Sequence, residues 1–117
     1  MFRVAAILVV LLGIAVAPLV ADAREDAKKQ VQFGISVAQK SLWREAIFWW
    51  ERATKSDPTY AAAHNNLAIA YEHEGDLTKA RQSYEKAMEL EPNNAMIKQN
   101  YELFKEINDR TTRKTGQ

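Results

Sequence analysis

Sliding the chain against itself by 34 residues brings a set of side chains into register, and no other feature of the sequence restricts the fold as tightly. Leu67 falls on Phe33, Ala68 on Gly34, Tyr71 on Val37, Ala80 on Ala46, Tyr84 on Trp50, Ala87 on Ala53 and Pro92 on Pro58. Size and polarity agree at each step. In the better-formed copy, Ala61 to Asn94, two stretches carry apolar residues at intervals of three and four, the spacing that lines one face of an α-helix. Gly75-Asp76 stands between them: glycine reaches the left-handed conformation that ends a helix, and aspartate caps the next by accepting an orphan amide hydrogen bond. Asp57-Pro58 and Glu91-Pro92 close the units, because proline lacks an amide hydrogen and blocks the helix before it. Tandem helix-turn-helix units bury their apolar faces by stacking, which predicts an all-α solenoid.

This order of leucine, small residue, aromatic, alanine, aromatic, alanine and proline over 34 positions resembles the tetratricopeptide repeat. The resemblance spans repeat one at 27–60 and repeat two at 61–94. Repeat one departs from the pattern at Val37 and at Ser41-Leu42, and the family's tryptophan is replaced by Gln30 and His64. Tyr101, Glu102 and Lys105 stand at the leading positions of a third unit whose second helix is missing. Its lone helix, 95–108, is expected to cap the stack, with Ile97, Tyr101 and Phe104 toward repeat two and Lys98, Glu102, Lys105 and Asp109 on a charged opposite face. The implied fold is a short right-handed superhelical solenoid over 24–108, followed by a mobile polar tail at 109–117 with no apolar residue.

Met1 to Ala23 reads as an address. Arg3 is followed by an unbroken apolar run from Val4 to Ala17, then by Pro18 and Ala21-Asp22-Ala23, the pattern of a secretory signal peptide with an A-x-A cleavage site. A competing reading is an uncleaved membrane anchor, since residues 4–21 are about long enough to cross a bilayer. Either way the remainder is expected outside the cytoplasm, periplasmic or extracellular, because the positive charge ahead of the run stays inside. The six residues that follow, Arg24 to Lys29, alternate in charge and read as a solvated first turn.

The second helix of repeat one has the most unusual composition. Its inward stripe is Trp43, Ala46, Ile47, Trp50 and Ala53, with Ser41 as the expected N-cap. Phe48 and Trp49 fall outside that stripe, where repeat two has Gln82 and Ser83. Two readings stand: the pair packs on the chain's own N-terminal turn, or it forms a contact surface for a second copy, a partner or lipid. In repeat two, Lys79, Arg81, Ser83 and Glu85 are assigned to the solvated side.

Little here supports catalysis. There is no cysteine, no serine in a glycine elbow and only four glycines, too few for a phosphate-cradling loop. His64 and His73 lie nine apart, not the one-turn spacing that lets two imidazoles share a metal. The expectation is a protein without enzymatic activity, cofactor or metal, and a net charge of +1 suggests no nucleic-acid partner.

By resemblance, the first helices of successive repeats line a concave groove. This selects Lys28, Val31, Gln32 and Ile35, then Ala62, Asn65, Asn66, Ile69, Glu72 and His73, then Met96, Gln99, Asn100, Leu103, Glu106 and Ile107. Asn66 and Asn100 stand one repeat apart, and a carboxamide both donates to and accepts from a peptide backbone. Apolar residues replace the cations that would grip a C-terminal carboxylate, so the expected ligand is an apolar or mixed segment. The resulting expectation is an exported adaptor or assembly subunit that binds another protein or a second copy of itself, with a membrane-anchored, self-associating subunit as the alternative.

Overall fold

The computed structural model describes residues 21–116, and these form five α-helices with no strand among them. Helix α1 covers residues 21–38, α2 is Trp43–Ser56, α3 is Ala61–Glu74, α4 is Leu77–Leu90 and α5 is Ala95–Thr115. The expected leader at 1–23 lies outside the described residues except for its end. Ala21 and Ala23 belong to the first described turn of α1. No described helix is long and apolar enough to cross a membrane.

The four shorter helices make two hairpins, α1/α2 and α3/α4, that stack through α2 and α3, with α5 laid on α4. Small residues allow the close approach: Ala46, Ala53, Ala63, Ala68, Ala70 and Ala80 are fully buried. Tyr84, Phe104 and Ile97 are the largest apolar groups sealed beneath them. This is the all-α helix-turn-helix solenoid that the 34-residue period predicts.

The two hairpin turns use one backbone device with different chemistry. After α3, Gly75 takes φ +79°, and the amides of Gly75 and Asp76 bond to the carbonyls of Glu72 and Tyr71 at 3.0 and 2.9 Å. After α1, Ser41 takes φ +62°, and the amides of Ser41 and Leu42 bond to Ala38 and Val37 at 2.8 and 3.1 Å. Both are Schellman closures. Ser41 is therefore the left-handed residue of the turn and not the N-cap. Leu42 holds the N-cap position of α2 with no side-chain bond to offer. Asp76, its counterpart, accepts from the Lys79 amide at 3.1 Å. Asn94 caps α5, Oδ1 accepting from the amides of Met96 and Ile97 at 3.1 and 3.2 Å.

An aromatic donor ties each helix to the one before it. Trp50 Nε1 donates to the Val31 carbonyl at 3.0 Å, and Tyr71 Oη to Glu51 Oε1 at 2.6 Å. Tyr84 Oη donates to Glu72 Oε2 at 3.2 Å, and Tyr101 Oη to Glu85 Oε1 at 3.1 Å. Burial raises the ionisation of Tyr71, Tyr84 and Tyr101 above the usual phenol range, and the nearby glutamates push each further.

Several surface assignments change accordingly. Glu85 and Arg81 link α4 to α5, since Arg81 lies 3.7 Å from Asp109 and stands over the Phe104 ring. Lys79 lies over the Tyr71 ring, 5.6 Å from its centre. Asp109 likewise reaches α4, and Lys105 lies over the Tyr101 ring of its own helix, 4.5 Å from its centre, so this side is not purely solvated. Arg24 is no solvated lead-in: it pairs with Asp57, and its Nη2 donates to Thr59 Oγ1 at 3.1 Å. Burial pushes the Asp57 carboxyl up, but hydrogen bonds from Arg24 and Thr59 outweigh this and hold it below the usual range. The polar tail expected to be mobile from residue 109 continues α5 through Thr115. Arg110 pairs with Glu106 at 2.6 Å in its last turns, a one-turn spacing that favours helix.

Candidate interaction groove

Residues Ile35 and Ala38 of α1, Gln39 just after it, Trp43 and Trp50 of α2, and Asn66 and Ile69 of α3 line an open, largely apolar cavity of about 310 Å³ on the groove side of the first hairpin. Gly34 makes room for one of its walls. The Trp50 indole lies against that residue's bare Cα, and the larger ring stands where repeat two has Tyr84 beside Ala68. At one end Trp43 is capped by His73, the two rings stacked at 3.7 Å and 6°. Cavity walls from three helices thus hold two tryptophans in fixed positions, one by hydrogen bond and one by stacking.

Most of the expected groove residues fall into three groups. Asn66 and Ile69 line the cavity, and His73 closes it through Trp43, so these three are brought together with Ile35. Gln99, Leu103, Met96 and Ile107 form an exposed stripe on α5, with Leu103, Met96 and Ile107 each more than half exposed. Asn65, Glu72 and Val31 are corrections. Asn65 is only 2% exposed, and its Oδ1 accepts from Asn100 Nδ2 at 3.2 Å, so this pair fastens α5 to α3. Glu72 accepts from Tyr84; burial raises its carboxyl, against the opposing pull of Tyr84 and His73. Val31 lies in the core with its carbonyl bonded to Trp50.

Two ladders run across the helices at the repeat period. Gln32, Asn66 and Asn100 place a carboxamide on α1, α3 and α5, and Ile35, Ile69 and Leu103 place an aliphatic side chain one turn further along each. Asn100 is engaged by Asn65, whereas the equivalent pairing of Asn66 would fall on Val31, which has no polar side chain. The Asn66 amide consequently makes no side-chain hydrogen bond among the described residues. It stands half-buried at the cavity rim with donor and acceptor both open. Trp43 and Trp50 were assigned to the core by spacing alone. The clue to their second role is their separation of seven, two turns apart on one face of α2.

No group of three or more histidine, aspartate or glutamate side chains among the described residues is placed to hold a metal ion. Phe48 is 52% exposed. Trp49 is half-buried between Phe33 and Phe48, with ring centres at 4.5 and 5.4 Å. Phe33, in register with Leu67, is itself 51% exposed while Leu67 is 5%. The register is the same; Leu67 has repeat one packed against it, and among the described residues nothing precedes α1 to cover Phe33.

Stacked hairpins with a carboxamide-lined face define a helical-repeat protein-interaction module, whose partner is another protein. The sequence model of the tetratricopeptide repeat family matches residues 61–94, the second hairpin. Relatives are recognisable over longer stretches. The chain is 28% identical over 85 residues to the tetratricopeptide repeat domain-containing protein PYG7, chloroplastic, of Arabidopsis thaliana, covering 73% of this chain and 28% of that protein. It is 35% identical over 63 residues to the protein O-mannosyl-transferase TMTC4 of Mus musculus, covering 54% and 8% respectively. Against the probable UDP-N-acetylglucosamine–peptide N-acetylglucosaminyltransferase SPINDLY of Hordeum vulgare, identity is 38% over 59 residues, 50% of this chain and 6% of that one. The chain therefore spans less than a third of the length of each of these relatives.

Proposed function

We propose that this chain is an exported adaptor or assembly subunit that holds an extended, apolar or mixed segment of another protein across α1, α3 and α5. The Asn66 amide at the rim of the apolar cavity carries the reading. A carboxamide with both functions open beside an apolar recess can bond a peptide backbone while the recess takes a neighbouring side chain. Leu103 and the rest of the α5 stripe extend the same surface toward the C-terminal end. Export rests on the sequence pattern of Met1 to Ala23, and retention of that segment would make the protein membrane-anchored instead. The proposal gives the chain no catalytic role.

Selection of peptides from a random display library on the purified chain tests the groove. Asn66→Ala is expected to weaken the selected peptides about three- to tenfold, the worth of one or two hydrogen bonds. Ile69→Asp is expected to weaken them more than tenfold, with far-ultraviolet circular dichroism confirming that the helices persist. Peptides that bind both variants as tightly as the parent chain do not use this groove, and the proposal then fails.

A further inference from the structure

The surface of α2 that faces away from the cavity carries a short stripe with internal symmetry. Glu45, Phe48, Trp49 and Arg52 stand at i, i+3, i+4 and i+7, one side of the helix over two turns. Phe48 is half exposed and Trp49 half-buried, while Glu45 and Arg52 are both exposed. Phe33 of α1 widens the apolar part by packing on Trp49. The Arg52 guanidinium lies over both α2 rings, 5.8 Å from the centre of Phe48 and 5.4 Å from that of Trp49. Neither Glu45 nor Arg52 enters an ion pair among the described residues. In the second hairpin the corresponding residues are Lys79, Gln82, Ser83 and Lys86, which carry no such pattern.

We infer that this stripe is the contact of an antiparallel, twofold-symmetric homodimer. The charges select the occupant. About the midpoint between Phe48 and Trp49, Glu45 and Arg52 are equidistant, roughly 5 Å to either side along the helix axis. A second α2 laid antiparallel across that point puts Glu45 of each copy opposite Arg52 of the other and the four aromatic rings together in the centre. A parallel arrangement would oppose like charges. Isologous contacts of this kind are self-complementary by construction. Phe33 and Phe48, each half exposed, and the partly exposed edge of Trp49 supply at most about 300 Å² per copy, and with the flanking stems the total approaches about 1,000 Å², the lower bound for a specific interface. Such a dimer is reversible. It lies on a different side of α2 from the cavity, so it stands or falls independently of the groove.

Sedimentation equilibrium on the full chain tests this by charge exchange. The parent chain is expected to show a concentration-dependent monomer–dimer equilibrium. Glu45→Arg and Arg52→Glu, each alone, set like charges against each other twice and are expected to weaken association at least tenfold. An equimolar mixture of the two single variants restores opposite charges at both positions and is expected to associate about as well as the parent. So is the chain carrying both exchanges. Circular dichroism checks that every variant remains helical. A parent chain that stays monomeric, single variants that associate undiminished, or a mixture and double exchange that both fail to recover would each overturn the inference. A monomeric parent that sediments with phosphatidylcholine vesicles would overturn it too, assigning the aromatics to a lipid surface.

Discussion

The Trp50 indole occupies the space that any side chain at Gly34 would need. A Cβ at residue 34 would overlap Nε1 and lie 2.6 Å from Cδ1. The ring has no freedom to retreat, because it is 3% exposed and its N–H is bonded to the Val31 carbonyl. Repeat two solves the same contact with Ala68 and Tyr84, one carbon more on one helix and a smaller ring on the other.

Gly34→Ala therefore sets two effects against each other. Replacing a mid-helix glycine by alanine favours the helix by about 1 kcal/mol, whereas forcing a methyl group into a closed contact costs about 1–3 kcal/mol. Overlap with a ring that cannot move makes the second effect the larger. Urea unfolding is expected to show a net loss of about 1–2 kcal/mol. Combining Gly34→Ala with Trp50→Tyr recreates the arrangement of repeat two and is expected to recover at least half of that loss. A Gly34→Ala protein as stable as its parent would mean that the hairpin opens more easily than this packing implies.

The turn at Ser41-Leu42 is improvable. A serine at positive φ costs about 1 kcal/mol relative to glycine, and an N-cap without a side-chain acceptor forgoes about another. Ser41→Gly with Leu42→Asp copies Gly75-Asp76 and is expected to raise the stability by about 1–2 kcal/mol, or the midpoint of thermal unfolding by roughly 4–12 °C. A calorimetric scan decides the point, and an unchanged midpoint would indicate that Leu42 contributes packing that offsets the missing cap.

Tyr84→Phe removes the donor to Glu72 and is expected to cost about 1 kcal/mol at neutral pH. The pH dependence gives a sharper test. The phenol's ionisation is raised on folding, so its stabilising contribution is complete below the unfolded value of 10.0 and declines as pH rises above it. Between neutral pH and about pH 11, parent stability should fall more steeply than that of the variant, by up to ~1.4 kcal/mol per pH unit. The gap seen at neutral pH then narrows or reverses. Parallel slopes in urea unfolding at the two pH values would show that Tyr84 ionises freely in the folded chain.

What was legible in the sequence is what depends on one helix at a time. The 34-residue period and the Gly75 and Asp76 signals placed hairpins and caps because their hydrogen bonds close within a few residues. Positions that depend on a neighbour were not legible. Phe33 and Leu67 share a register and differ tenfold in exposure, because among the described residues only Leu67 has a preceding hairpin packed against it. Asn65 and Asn66 are about 100° apart around the helix, and spacing could not say which would meet α5. Arg24, Arg81 and Glu85 looked solvated because their long stems reach neighbouring helices from exposed backbone positions. The end of α5 was missed because absence of apolar residues was taken as absence of helix. Ion pairs along and across the helix accompany its extension instead.

The four aromatic hydrogen bonds between helices all point backward along the chain: Trp50 to Val31, Tyr71 to Glu51, Tyr84 to Glu72, Tyr101 to Glu85. A polypeptide leaves the ribosome from its N-terminus, so at each interface the acceptor exists before its donor is made. Partial chains of increasing length expose three carboxylates and one backbone carbonyl, which water solvates well, and never a buried phenol or indole waiting for a group still to be synthesised. The stack thus has a built-in direction of growth.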